Sequence, residues 1–441
     1  MLKKIIFPLI ALCTPFILLA QQPGKLLCGN DILQEMLRTH HPDLANAMDQ
    51  TFEAVRMPQT QTRGTLTINV VVHVVWKESD ENLSDELIQS QIDILNADFN
   101  RLNADTANLR SIFQQAAGAA DIEFKLAAIE RVQTSNLFSV NLLGGTLIPE
   151  VKSNALGGNN AWDPEKYLNI WVCHIQPIMV GPIVLGQILG FAFPPAGLGN
   201  WPEGSNAPAI GEDGVVIDYR VFGKDNPFPV EVPGSTEPLI VKGRTPVHEV
   251  GHYLGLRHIW GDGGTFGPND CAQSDGVNDT PFANSQSEFD CDITKNSCPG
   301  IDAHYGIDMP DLIENFMDYS SEDCMNMFTK GQVEIIRNVL TGPRSGLVEG
   351  SSSIYPLATE ADWQLVPNPT SGDSYVRLNV TSTRDRQVQL FDTHGRMVQT
   401  QVIPAGQTSI LLATHSLVNG LYWVTCLDHQ EVSHRLLVVQ H

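Results

Sequence analysis

The sequence predicts two folded parts: an α/β sheet that ends in a helix, followed by a small all-β sandwich. Three observations predict it. From Thr65 the apolar run LTINVVVHVVW precedes the helically spaced segment SDELIQSQIDILNADFNRLN, and more strand-like runs come after it. That order of strand, helix and further strands is how a sheet with packed helices reads. Beyond a Gly/Ser boundary at 346–353 the pattern becomes short alternating strands separated by turn signals, which is how a sandwich reads. Composition allows both parts. A chain of 441 residues has room for more than one core, and 42% hydrophobic against 17% charged residues excludes a disordered chain.

Residues 1–20 stand apart. Lys3 and Lys4 precede an apolar run broken by Pro8 and Pro15 and ending at Leu19-Ala20. A basic end, an apolar core and a small exit residue predict a secretory signal peptide, and the run is too short to be a membrane anchor. Residues 21–63 are polar, with one helical patch (Ile32, Leu33, Met36, Leu37), too thin to fold alone; they read as a prosegment. Residues 64–345 form the main domain. Its helix carries Leu87, Ile88, Ile92, Leu95 and Phe99 at helical spacing behind a Ser84 N-cap. Strands follow at IEFKLAAI, YLNIWVC, ILGFAF and GVVIDY. Residues 346–360 are a linker. Residues 361–441 hold the sandwich strands SYVRLNV, RQVQLFD, HGRMVQTQVI, TSILLATH, GLYWVTCLD and SHRLLVVQ.

Charge removes several function classes. Lys plus Arg is 27 against 50 for Asp plus Glu, a net charge of −23. Nucleic-acid binding depends on cationic side chains that displace counterions, so no nucleic-acid partner is expected, and adsorption to anionic membranes is equally disfavoured. No later stretch is apolar enough for a transmembrane segment. The acidity is concentrated: residues 262–323 hold fourteen acids against the single base Lys295. Such a run is either a solvated surface or a place for cations.

The chemistry is concentrated in His248-Glu249-Val250-Gly251-His252-Tyr253-Leu254-Gly255-Leu256-Arg257-His258. Thr245 and Pro246 precede it as an expected N-cap and first helical residue. His248 and His252 are then one turn apart on one helix face, where neutral imidazoles can share a Zn²⁺. Glu249 lies one step round the helix, within reach of a water without being a ligand. Gly255 can take the left-handed conformation that ends a helix, so that the chain returns with His258 as a third nitrogen. Three protein ligands leave a position open for water, the mark of a catalytic site.

HEVGHYLGLRH matches the HExxHxxGxxH signature of metzincin metallopeptidases, and Asn315-Phe316-Met317-Asp318-Tyr319 resembles their Met-turn. INVVVHVVW, QSQIDILNADFNRLN, YLNIWVC, ILGFAF and DYSSEDCMNMFTKGQ resemble the pappalysin family in particular, over roughly residues 63–338. The resemblance implies an α+β fold: a metzincin-type zinc-peptidase domain, with a twisted mixed sheet, long helices and an active-site cleft, ahead of the small all-β sandwich. It implies that His248, His252 and His258 bind zinc and that Glu249 is the general base and acid. Met317 would floor the metal, and Tyr319 would stabilise the oxyanion. Four cysteines after the motif allow three pairings. The family pattern implies Cys271 with Cys298 and Cys291 with Cys324.

Weaker expectations attach to single residues. In SDGVNDTP, Asp275, Asp279 and Thr280 sit among turn residues whose oxygens suit Ca²⁺, and the resemblance adds the Val277 carbonyl and the Thr280 oxygens to Asp275. Cys28, before Gly29, is a candidate zymogen switch whose thiolate would occupy the open zinc position; activation would then need cleavage near Arg56 or Arg63. Glu322 stands where relatives carry an acid in the pocket for the residue after the scissile bond, which implies cleavage next to Arg or Lys; relatives would be expected to carry Asp there. Leu189 to Ala192 resembles a rim strand to which an extended substrate could add. LVPNPTSGDSYVRLNV, LFDTHGRMV and NGLYWVTCLD resemble C-terminal sorting domains of type IX secretion.

Together these features predict a secreted, zinc-dependent endopeptidase made as a latent zymogen. Its partners would be protein or peptide substrates with basic residues and the type IX secretion machinery. It would reach the periplasm first, then the exterior or the outer surface. A rival reading is a non-catalytic surface adhesin or binding module stabilised by zinc. Glu249 separates the two, because a structural site has no use for a base beside an open metal position.

Overall fold

The computed structural model describes residues 25–29, 64–140, 147–180, 183–195, 206–232, 236–261, 271, 275–349, 363–378, 381, 385–391, 397–428 and 431–441. The expected signal peptide, the cleavage sites near Arg56 and Arg63 and nearly all of the expected prosegment and linker lie outside them. The chain divides into two units, residues 1–351 and 352–441.

In the first unit the strands are β1 (Lys25–Cys28), β2 (Leu66–Trp76), β3 (Ala117–Gly118), β4 (Ile122–Gln133), β5 (Leu168–Cys173), β6 (Ile178–Val180), β7 (Ile183–Ala192), β8 (Val215–Asp218) and β9 (Phe328–Thr329). The helices are α1 (Asp85–Phe99), α2 (Arg244–Tyr253) and α3 (Lys330–Thr341). The main sheet runs β1-β7-β8-β5-β2-β4, with β6 added to β7. β4, β2, β5 and β8 are mutually parallel, β7 is antiparallel to β8, and β1 is parallel to β7. The mixed sheet agrees with the metzincin-type expectation. The helices are shorter than expected, at 15, 10 and 12 residues.

The inner strands β2, β5 and β8 are almost continuously apolar because both sheet faces are covered there. Ile68, Val70, Val72 and Val74 of β2, with Ile170 and Val172 of β5, pack into the core that holds Ile88, Ile92 and Leu95 of α1 and Val247 and Val250 of α2. The alternate residues Val75, Trp171, Cys173, Phe191 and Val216 form a second core on the opposite face, with Phe138, Ile148 and Val151. Ser84 caps α1 as expected, its side chain accepting from Leu87 N at 3.2 Å.

The start of α2 departs from expectation. Thr245 is not its N-cap. The cap is Gly243, at φ +76, and the helix begins at Arg244. The reason is long-range: the Glu322 carboxylate accepts from Lys242, Arg244 and Thr245 N–H groups, so the first turn is satisfied from outside the helix.

The second unit holds β10 (Trp363–Val366), β11 (Ser374–Leu378), β12 (Arg386–Phe391), β13 (Met397–Ile403), β14 (Ser409–Leu412), β15 (Gly420–Asp428) and β16 (Glu431–Val439). They make two antiparallel sheets, β10-β11-β14 and β13-β12-β15-β16. Alternation is clear in β11, where Val376 and Leu378 are buried and Tyr375 and Arg377 are exposed. Trp363, Leu365, Val388, Leu390, Val424 and Leu437 join them in the core.

One buried polar group in the main sheet gives a pH test. His73 of β2 is fully buried, stacks on Trp171 at 5.0 Å and donates from Nε2 to Asn169 Oδ1 at 2.8 Å. Burial pushes its imidazole down to about 4, against a smaller upward pull from Asn169. The unfolded chain therefore binds a proton at His73 that the fold refuses. Stability is full above the unfolded value near 6.5 and falls as pH drops towards 4, by about 3 kcal/mol for this group. We expect the stability difference between wild type and His73→Gln to move by about that amount between pH 7 and 4, measured by urea unfolding. A difference that stays constant with pH would refute it.

Candidate metal centre

α2 places His248 and His252 one turn apart, both buried. Their Nε2 atoms lie 3.0 Å from each other. The chain turns at Gly255, at φ +93, and returns His258, whose Nε2 lies 3.2 Å from that of His248 and 3.1 Å from that of His252. Each of the first two rings has its other nitrogen committed: His248 Nδ1–H donates to the Phe316 carbonyl at 2.7 Å, and His252 Nδ1–H to the Leu256 carbonyl at 2.8 Å. Their Nε2 atoms therefore face each other as lone pairs, with no proton to share. Such crowding is relieved by a cation, and a tetrahedron with arms of about 2.0–2.1 Å has edges of about 3.3 Å. The donor set suits zinc. Cys28 supplies a fourth donor, and the sulfur and the three imidazole nitrogens all lie within 4.8 Å of one another.

The surroundings fix this group from three sides. Below, Met317 approaches α2 where it lacks a side chain: a Cβ on Gly251 would stand 2.5 Å from Met317 Sδ. Beside it, Trp260 stacks on His258 with centroids 4.4 Å apart and planes 5° from parallel. Tyr319 lies 5.6 Å from His248 and 5.0 Å from His258, ring to ring. Its hydroxyl accepts from Cys28 N–H at 3.0 Å. Above, Glu249 is almost fully buried beneath β7, and a Cβ on Gly190 would meet Glu249 Cγ at 2.8 Å. Neither Trp260 nor Gly190 stood out in the sequence. An aromatic two residues after a histidine, or one glycine in a strand, carries no local signal.

A cleft opens beside the histidines, lined by Leu189, Leu239, Phe289 and Met325 together with Glu249, Asp318 and Glu322. Glu322 is buried there, with Oε1 accepting from Thr245 N and Thr245 Oγ1, both at 2.8 Å, and Oε2 from Arg244 N at 3.1 Å and from Lys242 N. Asp318 was not singled out from the sequence. Its Oδ1 accepts from Ser287 N at 3.1 Å, its Oδ2 meets no hydrogen-bond partner among the described residues, and burial pushes its carboxyl up to about 6.

The acidic segment is stapled by two disulfides, Cys271–Cys298 and Cys291–Cys324. Asp275, Val277 and Thr280 come together: Thr280 Oγ1 lies 2.7 Å from Asp275 Oδ1 and 2.9 Å from the Val277 carbonyl oxygen. Burial pushes the Asp275 carboxyl up to about 7, against the pull of its bonds to Thr280 and Val277.

Known proteins resemble the chain in two places. Residues 240–341 match the model of the pregnancy-associated plasma protein-A peptidase family, and residues 364–440 match that of the secretion system C-terminal sorting domain. An extracellular metalloprotease of Arthroderma benhamiae is 28% identical over 305 residues, covering 69% of this chain and 81% of the relative. Mature mirolysin of Tannerella forsythia, solved with a cleaved peptide, is 39% identical; the match covers 65% of this chain and 97% of mirolysin, with a TM-score of 0.52. The chain belongs to the pappalysin family. A mutant of promirolysin from the same organism is 36% identical over 74% of this chain and 97% of its own, with a TM-score of 0.54. This pappalysin is therefore a metallopeptidase with a metzincin fold, and a catalytic zinc goes with that family. Its tail directs it to secretion by the type IX route. Among the described residues no helix is long and apolar enough to cross a membrane.

Proposed function

We propose that this secreted metallopeptidase is a zinc-dependent endopeptidase that cuts proteins next to Arg or Lys and is held latent by Cys28. The observation that carries the reading is the convergence of three imidazole nitrogens and one thiol within 4.8 Å, with Glu249 beside them. His248, His252 and His258 would hold the metal. Zinc supplies Lewis acidity there, lowering the pKa of a coordinated water to about 7.

The chain's own residues do the rest. Glu249 takes a proton from the attacking water and returns one to the leaving amine, both from a site shielded by β7. The Tyr319 hydroxyl donates to the carbonyl oxygen as it gains negative charge. Met317 packs beneath the metal and keeps the imidazoles in place. Once β1 has left it, β7 would offer an edge to which an extended substrate can add as a strand. The cleft's apolar walls suit an alkyl stem, and its carboxylates, Glu322 and Asp318, favour a positive end on that stem.

Latency follows from the position of Cys28. Its sulfur, within 4.8 Å of the three imidazole nitrogens, would take the position that a water needs, and its N–H donates to the hydroxyl of Tyr319. Asp275, the Val277 carbonyl and Thr280 are proposed as Ca²⁺ ligands, since an ion would compensate a carboxylate that burial otherwise disfavours.

Three expected outcomes follow. In cleavage-site mapping on a complex peptide mixture, activated wild type should cut beside Arg and Lys. Glu249→Ala should lose about 10²–10⁴-fold in rate, and a zinc chelator should abolish activity. Scattered sites would sink the basic pocket, and no cuts from zinc-loaded mature protein would sink the peptidase reading. For latency, Cys28→Ala should yield a proform that is active or processes itself quickly, as followed by gel; a fully latent variant would count against the switch. For calcium, EGTA at a level that spares zinc should lower the melting temperature, and an unchanged melting temperature and activity would remove the ion.

A further inference from the structure

Glu322 does more in this fold than line a pocket. A carboxylate offers about four acceptor positions. Here all four are taken, by the N–H groups of Lys242, Arg244 and Thr245 and by the Thr245 hydroxyl. All four donors lie in or just before the first turn of α2, where the helix dipole favours a negative charge and backbone donors lack partners, and three of them are backbone N–H groups. The main chain adds a second tie: Arg244 Nη1 donates to the Glu322 carbonyl at 2.7 Å. The same guanidinium is held by Asp98 at 3.3 Å and by Asp105 at 2.8 Å, so the turn is also anchored to α1 and to the segment after it.

The two segments joined in this way carry the two halves of the site. α2 holds His248, Glu249 and His252, while the segment ahead of Glu322 holds Met317 and Tyr319, with the Phe316 carbonyl bonded to His248. We infer that Glu322 is a positioning residue: it clamps the first turn of the metal-binding helix to the segment carrying Met317 and Tyr319, and it offers a substrate its charge but no free fork for a guanidinium. This rests on the peptidase reading above and refines its pocket. Bidentate pairing needs open lone pairs on both oxygens, so Arg should gain no advantage over Lys.

The test uses activated enzyme and three peptides that differ only in the residue after the scissile bond: Arg, Lys or Leu. In wild type the Arg and Lys peptides should differ by less than about threefold in kcat/KM. In Glu322→Gln an amide NH₂ faces backbone donors. We expect kcat to fall about tenfold or more on all three peptides, with KM changing less than about twofold. Zinc should also pass to a chromogenic chelator several times faster. Thr245→Val removes one donor and keeps the backbone; it should show the same pattern at about threefold, and it decides the matter if the Gln variant does not fold. A loss confined to the Arg and Lys peptides, with the Leu peptide and zinc release unchanged, would make Glu322 an ordinary pocket acid and overturn the clamp. Unaltered kinetics in both variants would overturn it as well, and so would a strong preference of wild type for Arg. If wild type shows no preference for basic residues, the basic pocket fails, while the clamp still stands or falls on the Leu peptide and on zinc release.

Discussion

Three imidazole nitrogens held 3.0–3.2 Å apart, with two of the rings already donating their other protons to carbonyls, are the constraint around which the first unit is organised. Lone pairs at that separation repel, and a folded chain keeps them together only when packing leaves no alternative and a cation offsets the cost. The packing is visible on every side. Helical spacing sets His248 against His252, the turn at Gly255 brings back His258, and Trp260 lies flat on that ring. Met317 reaches the cluster because Gly251 has no side chain to stop it. The carbonyls of Phe316 and Leu256 choose the tautomers, which is how surrounding groups tune a metal ligand's basicity.

What was legible in the sequence was what chemistry imposes locally. Histidines four apart on a helix, a glycine at the turn and a third histidine after it form a pattern that only local geometry is needed to interpret. The sheet was legible for a related reason: strands covered on both faces must be apolar throughout, and LTINVVVHVVW announces this. The Ser84 cap was legible because its partner, Leu87, is three residues away. The start of α2 was not. Thr245 before Pro246 is a sound local signal, but it is outcompeted by a carboxylate 77 residues downstream. Asp318 went unnoticed for the same reason: its burial and its bond to Ser287 are tertiary facts. β10 was hidden because LVPNP reads as a turn, and its partner β11 supplies the pairing.

The order of the sheet decides where the chemistry faces. Four parallel strands would leave β8 as an edge, but β7 joins it antiparallel and carries Gly190 over Glu249. Glu249 is thereby screened from solvent by backbone, which leaves room for little else. With β1 gone, an extended substrate added to the edge of β7 opposite β8 would lie beside the strand whose Gly190 packs on Glu249. The proposed specificity pocket and the proposed proton carrier would then be addressed by one bound strand, as catalysis at a single peptide bond requires.

That same edge explains why a lone thiol could suffice for latency. β1 pairs with β7 from Gly186 to Gly190 and ends at Cys28. The sulfur is thus delivered by a strand already hydrogen-bonded beside the site, and its local concentration does not depend on the affinity of one thiolate for zinc. The Cys28 N–H also donates to the Tyr319 hydroxyl oxygen, which ties the end of β1 to the group proposed to meet the substrate's oxygen. A prosegment arranged in this way would block the substrate's strand edge and the metal's open position together. Removing the thiol alone would free the metal position and permit partial activity or self-processing, while full activity would require the loss of β1 from the edge of β7.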